Sequence, residues 1–202
     1  MLNSNRLYSI AFKMFVLGFV LYGLYLSFFV PDFEIEGLPA ISFFTTQSNI
    51  LVAMALVYLI TEPRHGRFRS FIRGSVMLYI LITGLVFHVL LIPAYPELFA
   101  DGVKFRYHLT HTIAPVGFIL DWLLFERKGL MCCRDFKYWF VYPLLYWSGT
   151  VIAGRFSGVY PYFFMDINSI GLAFALFWLL FLLALFIPLG LLLIWLDNKI
   201  GS

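Results

Sequence analysis

Charged side chains are scarce in this chain. Asp, Glu, Lys and Arg make up 12% of its 202 residues, about half the share typical of soluble proteins. Hydrophobic residues make up 62%, and the mean hydropathy is +0.90. A soluble domain of this length has too little interior to hide so much apolar surface, so lipid must be the solvent for most of the chain. The length fits one compact bundle, and we predict a single domain over residues 1–202.

Cysteine is almost absent too, and the only two, Cys132 and Cys133, are neighbours in sequence. Adjacent cysteines bridge poorly, so we expect no structural disulfide. The sequence contains no nucleotide, flavin or haem motif, and we expect no cofactor. The net charge of +3 is small, and its basic residues fit membrane topology and contact with anionic lipid rather than nucleic-acid binding.

Hydrophobic runs, in contrast, are abundant. A membrane-spanning helix needs about 20 predominantly apolar residues. Six stretches qualify: 8–30, 41–61, 71–93, 108–125, 138–154 and 170–196. We therefore predict an all-α, polytopic integral membrane protein, a bundle of six transmembrane helices.

The distribution of Lys and Arg predicts the orientation of this bundle. Basic residues cluster near both termini, after the second stretch (Arg64, Arg67, Arg69, Arg73) and after the fourth (Arg127, Lys128, Arg134, Lys137). The opposite side has Lys104, Arg106 and Arg155 together with acidic residues: Asp32, Glu34, Glu36, Glu97, Asp101 and Asp166. Because basic loops stay in the cytoplasm, we expect both termini there.

Polar side chains inside a membrane are costly and are functional candidates by default. The second stretch begins with Thr45, Thr46 and Asn49, and the fourth begins with His108 and His111. Both stretches start on the non-cytoplasmic side, which places Thr46 and His111 at a similar depth, roughly 6–8 Å. Residues three apart share a helical face, so we expect Asn49 beside Thr46 and His108 beside His111.

Four further polar residues are candidates for supporting roles. His88, Arg155 and Tyr160 fall on the same side as the pair, whereas Asp121 lies close to the midplane, where a structural or proton-relay role suits it. Metal binding would need a third ligand at the depth of the two histidines, and only His88 offers itself. We expect no metal site.

A threonine hydroxyl beside a neutral histidine has the chemistry of a nucleophile and its general base. Asn49, Thr45 or backbone N–H groups would then stabilise an oxyanion. The residues alone also fit a plainer interpretation. Threonines in membrane helices commonly bond to their own helix or link helices, and histidines form interhelical hydrogen bonds.

Several short motifs occur in an order that resembles a known family. They are Phe44-Thr45-Thr46-Gln47-Ser48-Asn49, His108-x-x-His111-Thr112 with Pro115, Asp121-Trp122-Leu123-Leu124-Phe125, Tyr142-Pro143-Leu144, and Tyr160-Pro161-Tyr162-Phe163 followed by Asp166. Over nearly the whole chain, they resemble the androgen-induced protein/ADTRP family of six-helix membrane threonine hydrolases, in a bacterial form. The family's acidic residue three positions after the threonine is replaced here by Asn49.

This resemblance implies a hydrolase of esters between fatty acids and hydroxy fatty acids. Thr46 would be the nucleophile, His111 the catalytic histidine and His108 its companion, and Arg155 or a nearby tyrosine would hold a substrate carboxylate. The expected partners are membrane lipids and a lipid ester, in a bacterial inner membrane. Two alternatives stay open: a non-enzymatic small transporter or lipid-binding scaffold, and an acyltransferase that uses the same site.

Overall fold

Helices form nearly all of the regular structure. The computed structural model describes residues 4–30, 38–62, 66–97, 99–100 and 102–201, and these ranges contain no strand. Six long helical segments follow one another: α1 (Ser4–Phe29), α2 (Phe44–Thr61), α3 (Arg67–Ala94), α4 (Phe105–Phe125), α5 (Val141–Ser157) and α6 (Ile167–Gly201). Each coincides with one predicted stretch, so the prediction of an all-α, six-helix protein is confirmed.

Five of these segments, α1 to α4 and α6, are long and apolar enough to cross a membrane. The remaining one, α5, has 17 residues and continues directly from a short helix and a 3₁₀ turn that begin at Cys133. In α6, only 22% of the most apolar window is buried, so most of its side chains face outward. Outward-facing apolar side chains are what lipid contact requires, and the chain is a polytopic membrane protein.

Contacts between helix ends show how the bundle is arranged. The Phe12 ring of α1 lies 5.6 Å from the Phe125 ring of α4, and the Asp197 carboxylate of α6 accepts hydrogen bonds from Leu130 and Met131, just after α4. The start of α1 and the end of α6 therefore lie at one end of the bundle, which we call the terminal end. The starts of α2 and α4 lie at the opposite end, which we call the site end.

Two helices depart from α-helical geometry at the site end. A π-helical turn runs from Phe87 to Leu91 in α3, and a second runs from Leu109 to Ile113 in α4. After each turn comes one further residue and then a proline (Pro93 or Pro115). A proline has no N–H to donate to the preceding turn, which leaves carbonyls there without their usual donor. π-Helical turns are rare and occur often at functional sites.

The buried ion cluster, as we call Lys13, Arg69, Arg73, Asp121 and Glu126, occupies the terminal half of the bundle. Lys13 Nζ lies 2.9 Å from Asp121 and 3.1 Å from Glu126. Arg69 forms two hydrogen bonds with Glu126, at 2.9 and 2.7 Å, and Arg73 pairs with Asp121. All five residues are buried, so the two carboxylates offset two of the three positive charges away from solvent.

This cluster corrects part of the orientation argument. Arg69 is a buried residue of α3 rather than a loop residue, because α3 starts at Arg67, four residues before the predicted start. Arg73, inside the predicted stretch, is buried as well and does not face the cytoplasm. Several residues used in that argument lie outside the described residues: Asp32, Glu34, Glu36, Arg64 and Asp101.

Candidate functional site

His111 is held in a single orientation at the site end. Its ring is 6% exposed and stacks on Phe87, with the ring centroids 3.9 Å apart and the planes at 23°. Its Nδ1 atom lies 3.1 Å from the Tyr107 carbonyl and 2.9 Å from the Thr110 hydroxyl. Because a carbonyl only accepts hydrogen bonds, the proton of a neutral His111 belongs on Nδ1. Nε2 then carries a free lone pair.

That lone pair faces a threonine. The Oγ1 atom of Thr45, the second residue of α2, lies 3.2 Å from His111 Nε2. With Nδ1 protonated, the Thr45 hydroxyl is the donor in this hydrogen bond. The distance is within the range for proton transfer to a general base. A hydroxyl, an imidazole and a carbonyl that orients the imidazole are thus linked by hydrogen bonds, an arrangement that nucleophilic catalysis by a hydroxyl requires.

Asn49 connects the two helices that carry this pair. Its side-chain nitrogen donates to the Thr45 carbonyl at 2.9 Å and to the Thr110 carbonyl at 3.1 Å. The Thr110 carbonyl would bond to the N–H of residue 115 in a π-helical turn, but residue 115 is proline. Asn49 therefore supplies the donor that Pro115 lacks, and it fixes the register of α2 against α4. This role differs from the oxyanion-stabilising one that the sequence suggested.

Gly84 allows α3 to approach the same irregular turn. A Cβ atom at this position would lie 2.7 Å from the His111 carbonyl oxygen, closer than real Cβ atoms come to other atoms. The carbonyl concerned is the one that Pro115 leaves without its α-helical donor. Close packing of α3 on α4 at this point also places Phe87 against the His111 ring.

Tyrosines surround the first turn of α2. The Tyr146 hydroxyl accepts the Phe44 N–H at 3.1 Å and donates to the Ser42 carbonyl at 2.9 Å. The Tyr162 hydroxyl lies beside the side chain of Thr45. The first N–H groups of a helix have no partner within the helix, and here the tyrosine hydroxyls supply partners for the first of them.

Two cavities meet at Thr45. The larger, of about 380 Å³, contains Thr45, Thr46, Arg106, His111 and Tyr162 in its wall. The narrower, of about 90 Å³, lies among α3, α5 and α6, and its wall is almost entirely apolar. Thr45, Leu91 and Tyr162 belong to both walls. The two cavities therefore adjoin at these three residues, one on the apolar side of Thr45 and one on the side of His111.

The predicted pair Thr46–His111 is only partly brought together. Thr46 is buried and lines the larger cavity, but the hydrogen bond to His111 Nε2 comes from Thr45. His108 is exposed, whereas His111 is buried. The expectation of a shared face assumed α-helical spacing, and the π-helical turn that begins at Leu109 changes the rotation between the two histidines.

The other predicted residues lie away from the Thr45–His111 pair. His88 is exposed, donates from Nδ1 to the Gly84 carbonyl at 2.9 Å and lies 3.3 Å from the Thr112 hydroxyl. Arg155 is exposed and contacts Asn168. Tyr160 is buried against Gly154. Asp121 belongs to the buried ion cluster, ten residues or about 15 Å along α4 from His111.

Several residues of the site were not singled out from the sequence. The His111 ring is positioned by the ring of Phe87, the backbone carbonyl of Tyr107 and the hydroxyl of Thr110. None of these contacts has a sequence signature. Arg106 did carry a signal, because it is one of only three basic residues on the predicted non-cytoplasmic side. A buried arginine at the start of a membrane helix is costly and is itself a functional candidate.

Comparisons with protein-family models, curated proteins and solved structures gave no match. The resemblance to the androgen-induced protein/ADTRP family therefore stays a prediction that rests on the motifs quoted above. Among the described residues, no group of three or more His, Cys, Asp or Glu side chains is placed to hold a metal ion.

Proposed function

We propose that this protein is a membrane-embedded hydrolase of lipid esters with a threonine nucleophile and a histidine base. The observation that supports it best is the hydrogen bond from the Thr45 hydroxyl to His111 Nε2 at 3.2 Å, inside a cavity within the bundle. The Tyr107 carbonyl at Nδ1 supports the proposal further, because it holds the histidine in the tautomer that a base requires. On this support we propose Thr45 as the nucleophile, instead of the Thr46 that the family resemblance implies.

The first half of the reaction forms an acyl-enzyme. Thr45 Oγ1 attacks the ester carbonyl carbon while His111 Nε2 takes the hydroxyl proton. The carbonyl oxygen becomes an oxyanion, and we assign its stabilisation to the Tyr162 hydroxyl, which lies beside the Thr45 side chain. His111 then gives its proton to the departing alcohol oxygen as the C–O bond breaks.

The second half returns the enzyme to its starting state. Water attacks the acyl-threonine carbonyl, and His111 takes a proton from the water. The C–O bond to Thr45 breaks, His111 returns the proton to Thr45 Oγ1, and the fatty acid leaves. If an alcohol replaced water in this step, the same residues would perform acyl transfer, which was one of the alternatives open from the sequence.

The substrate would enter the site from the bilayer. A lipophilic ester dissolved in the bilayer reaches a cavity at the site end without crossing water. The basic residues at the terminal end, among them Arg6, Arg134 and Lys199, support a placement with both termini in the cytoplasm. The site would then open toward the outer leaflet of a bacterial inner membrane.

The test is hydrolysis of fluorogenic long-chain acyl esters by purified protein in nanodiscs. We expect Thr45→Ala and His111→Ala each to lower kcat/KM by at least about a hundredfold, because each removes a group that acts in the transition state. His108→Ala is the matched control, since this histidine lies three residues from His111 but is exposed. Full activity in either site variant with an unchanged fold would overturn the proposed mechanism.

A further inference from the structure

Arg106 is a buried cation in the wall of the larger cavity. It is 9% exposed, and its guanidinium donates to the Val30 carbonyl at 3.2 Å and to the Tyr107 hydroxyl at 3.0 Å. The guanidinium also lies 4.8 Å from the centre of the Tyr107 ring. All of these partners are neutral. Within the described ranges of the chain, no carboxylate pairs with Arg106.

The other buried cations of the described helices, in contrast, are paired with carboxylates. Lys13, Arg69 and Arg73 each have carboxylate partners in the buried ion cluster. A buried charge without a counter-ion is costly, and proteins retain one where a ligand supplies the opposite charge. A guanidinium has a planar set of donors that matches a carboxylate with two parallel hydrogen bonds.

The two cavities that adjoin at Thr45 differ in the charge of their walls. Arg106 lines only the larger cavity, whereas the narrower cavity that shares Thr45 has an almost wholly apolar wall. An ester bound across Thr45 therefore has an apolar side and a side that faces a cation. The uncharged start of an acyl chain suits the first, and a part that bears an anion suits the second.

We infer that Arg106 is a specificity-determining residue that binds a carboxylate on the alcohol part of the substrate, while the part of the acyl chain next to the ester faces the narrow apolar cavity. This inference rests on the proposed hydrolase function. It assigns the role to Arg106 in place of Arg155, which is exposed and contacts Asn168. An anion at Arg106 also offsets a positive charge near His111, where a second one forms when the histidine takes the threonine proton.

The experiment compares two substrates that differ only in charge: the palmitoyl ester of a hydroxystearic acid as the free carboxylate and as its methyl ester. For wild type we expect a higher kcat/KM with the carboxylate. In Arg106→Gln, the ratio of kcat/KM for the carboxylate to kcat/KM for the methyl ester should fall about 10- to 100-fold, because the variant loses a charge-assisted hydrogen bond. Arg106→Lys should recover part of the ratio, and Arg155→Gln should keep the wild-type ratio.

A binding measurement separates this inference from the proposed function. Stearate and methyl stearate are titrated against Thr45→Ala protein, with and without Arg106→Gln, and quenching of tryptophan fluorescence is followed. If wild type hydrolyses neither ester, the hydrolase proposal fails, yet Arg106-dependent binding of stearate over methyl stearate would still uphold carboxylate recognition. The inference is overturned if Arg106→Gln leaves both the kcat/KM ratio and the stearate preference unchanged.

Discussion

Asp121→Asn removes one of two carboxylates that face three cations inside the bundle. In the buried ion cluster, Lys13 Nζ lies 2.9 Å from Asp121, and Arg73 pairs with the same carboxylate. Asp121 is completely buried. Three positive and two negative charges give the cluster a net charge of +1, and the substitution raises it to +2 with no solvent nearby to screen the excess.

The expected loss of stability follows from that excess. Removing one partner of a buried ion pair costs about 3–5 kcal/mol, because the remaining charge keeps its desolvation penalty without its attraction. For a chain of this length, each kcal/mol corresponds to about 2–4 °C in Tm, so the transition should fall by roughly 6–20 °C. The Thr45–His111 pair lies about 15 Å away along α4. Labelling of Thr45 by a fluorophosphonate probe should therefore persist at temperatures below the transition.

The assay is thermal unfolding in detergent, followed by circular dichroism at a helical wavelength. Glu97→Gln is the control, because this exposed carboxylate should change the free energy of unfolding by less than about 0.5 kcal/mol. The double substitution Asp121→Asn with Lys13→Met returns the cluster to +1 and should recover part of the loss. Equal transitions for Asp121→Asn and Glu97→Gln would refute this account of the cluster.

Three further predictions concern other contacts. Gly84→Ala should lower ester hydrolysis at least about tenfold with helix content unchanged, since its Cβ would lie 2.7 Å from the His111 carbonyl; Gly18→Ala, where nothing lies within 4 Å, is the control. Asn49→Leu should cost about 1–3 kcal/mol in thermal unfolding and weaken probe labelling, because it leaves a buried α4 carbonyl without its donor. Burial alone would raise the pKa of Glu126, but its hydrogen bonds with Arg69 and the nearby cations hold it at about 2, against an ordinary 4.5. This depressed pKa contributes roughly 3 kcal/mol above pH 4.5 that is lost as the pH falls toward 2, and Glu126→Gln should remove that part of the acid dependence of unfolding.

The six helices were predictable because a bilayer leaves so few choices. Every backbone polar group in lipid must be satisfied within a helix, so an apolar stretch of sufficient length has one available structure. The predicted start of α3 at residue 71 was late, since Arg67 and Arg69 appeared to belong to a loop. The sequence alone does not distinguish a buried, paired arginine from a loop arginine. The partner of Arg69 is Glu126, which lies 57 positions away in sequence.

The site was predictable in location more than in detail. Matching the depths of two helix starts brought the threonines of α2 and His111 to the same end of the bundle, and the structure has them there. Which threonine faces the histidine depends on the rotation of α2 about its axis, and consecutive residues differ by about 100°. Asn49 sets this rotation through its bond to the Thr110 carbonyl, a long-range contact that local spacing does not reveal.

The backbone before Pro115 was predictable only in part from the sequence. A proline has no N–H to donate to the preceding turn, and the structure has a π-helical turn beside His111. The consequence for His108 was not predictable from an α-helical wheel, because the turn changes the angle between residues three apart. The same irregularity in α3, before Pro93, places Phe87 on the His111 ring.

The central claim is that the Thr45 hydroxyl, activated by His111, is a nucleophile. The most direct measurement is labelling of the purified protein with a fluorophosphonate probe, with the modified residue located by mass spectrometry. The account predicts an adduct on Thr45 that disappears in Thr45→Ala and His111→Ala and persists in Thr46→Ala and His108→Ala. An adduct on Thr46 would contradict the assignment of the nucleophile, and absence of labelling in folded wild type would contradict the account as a whole.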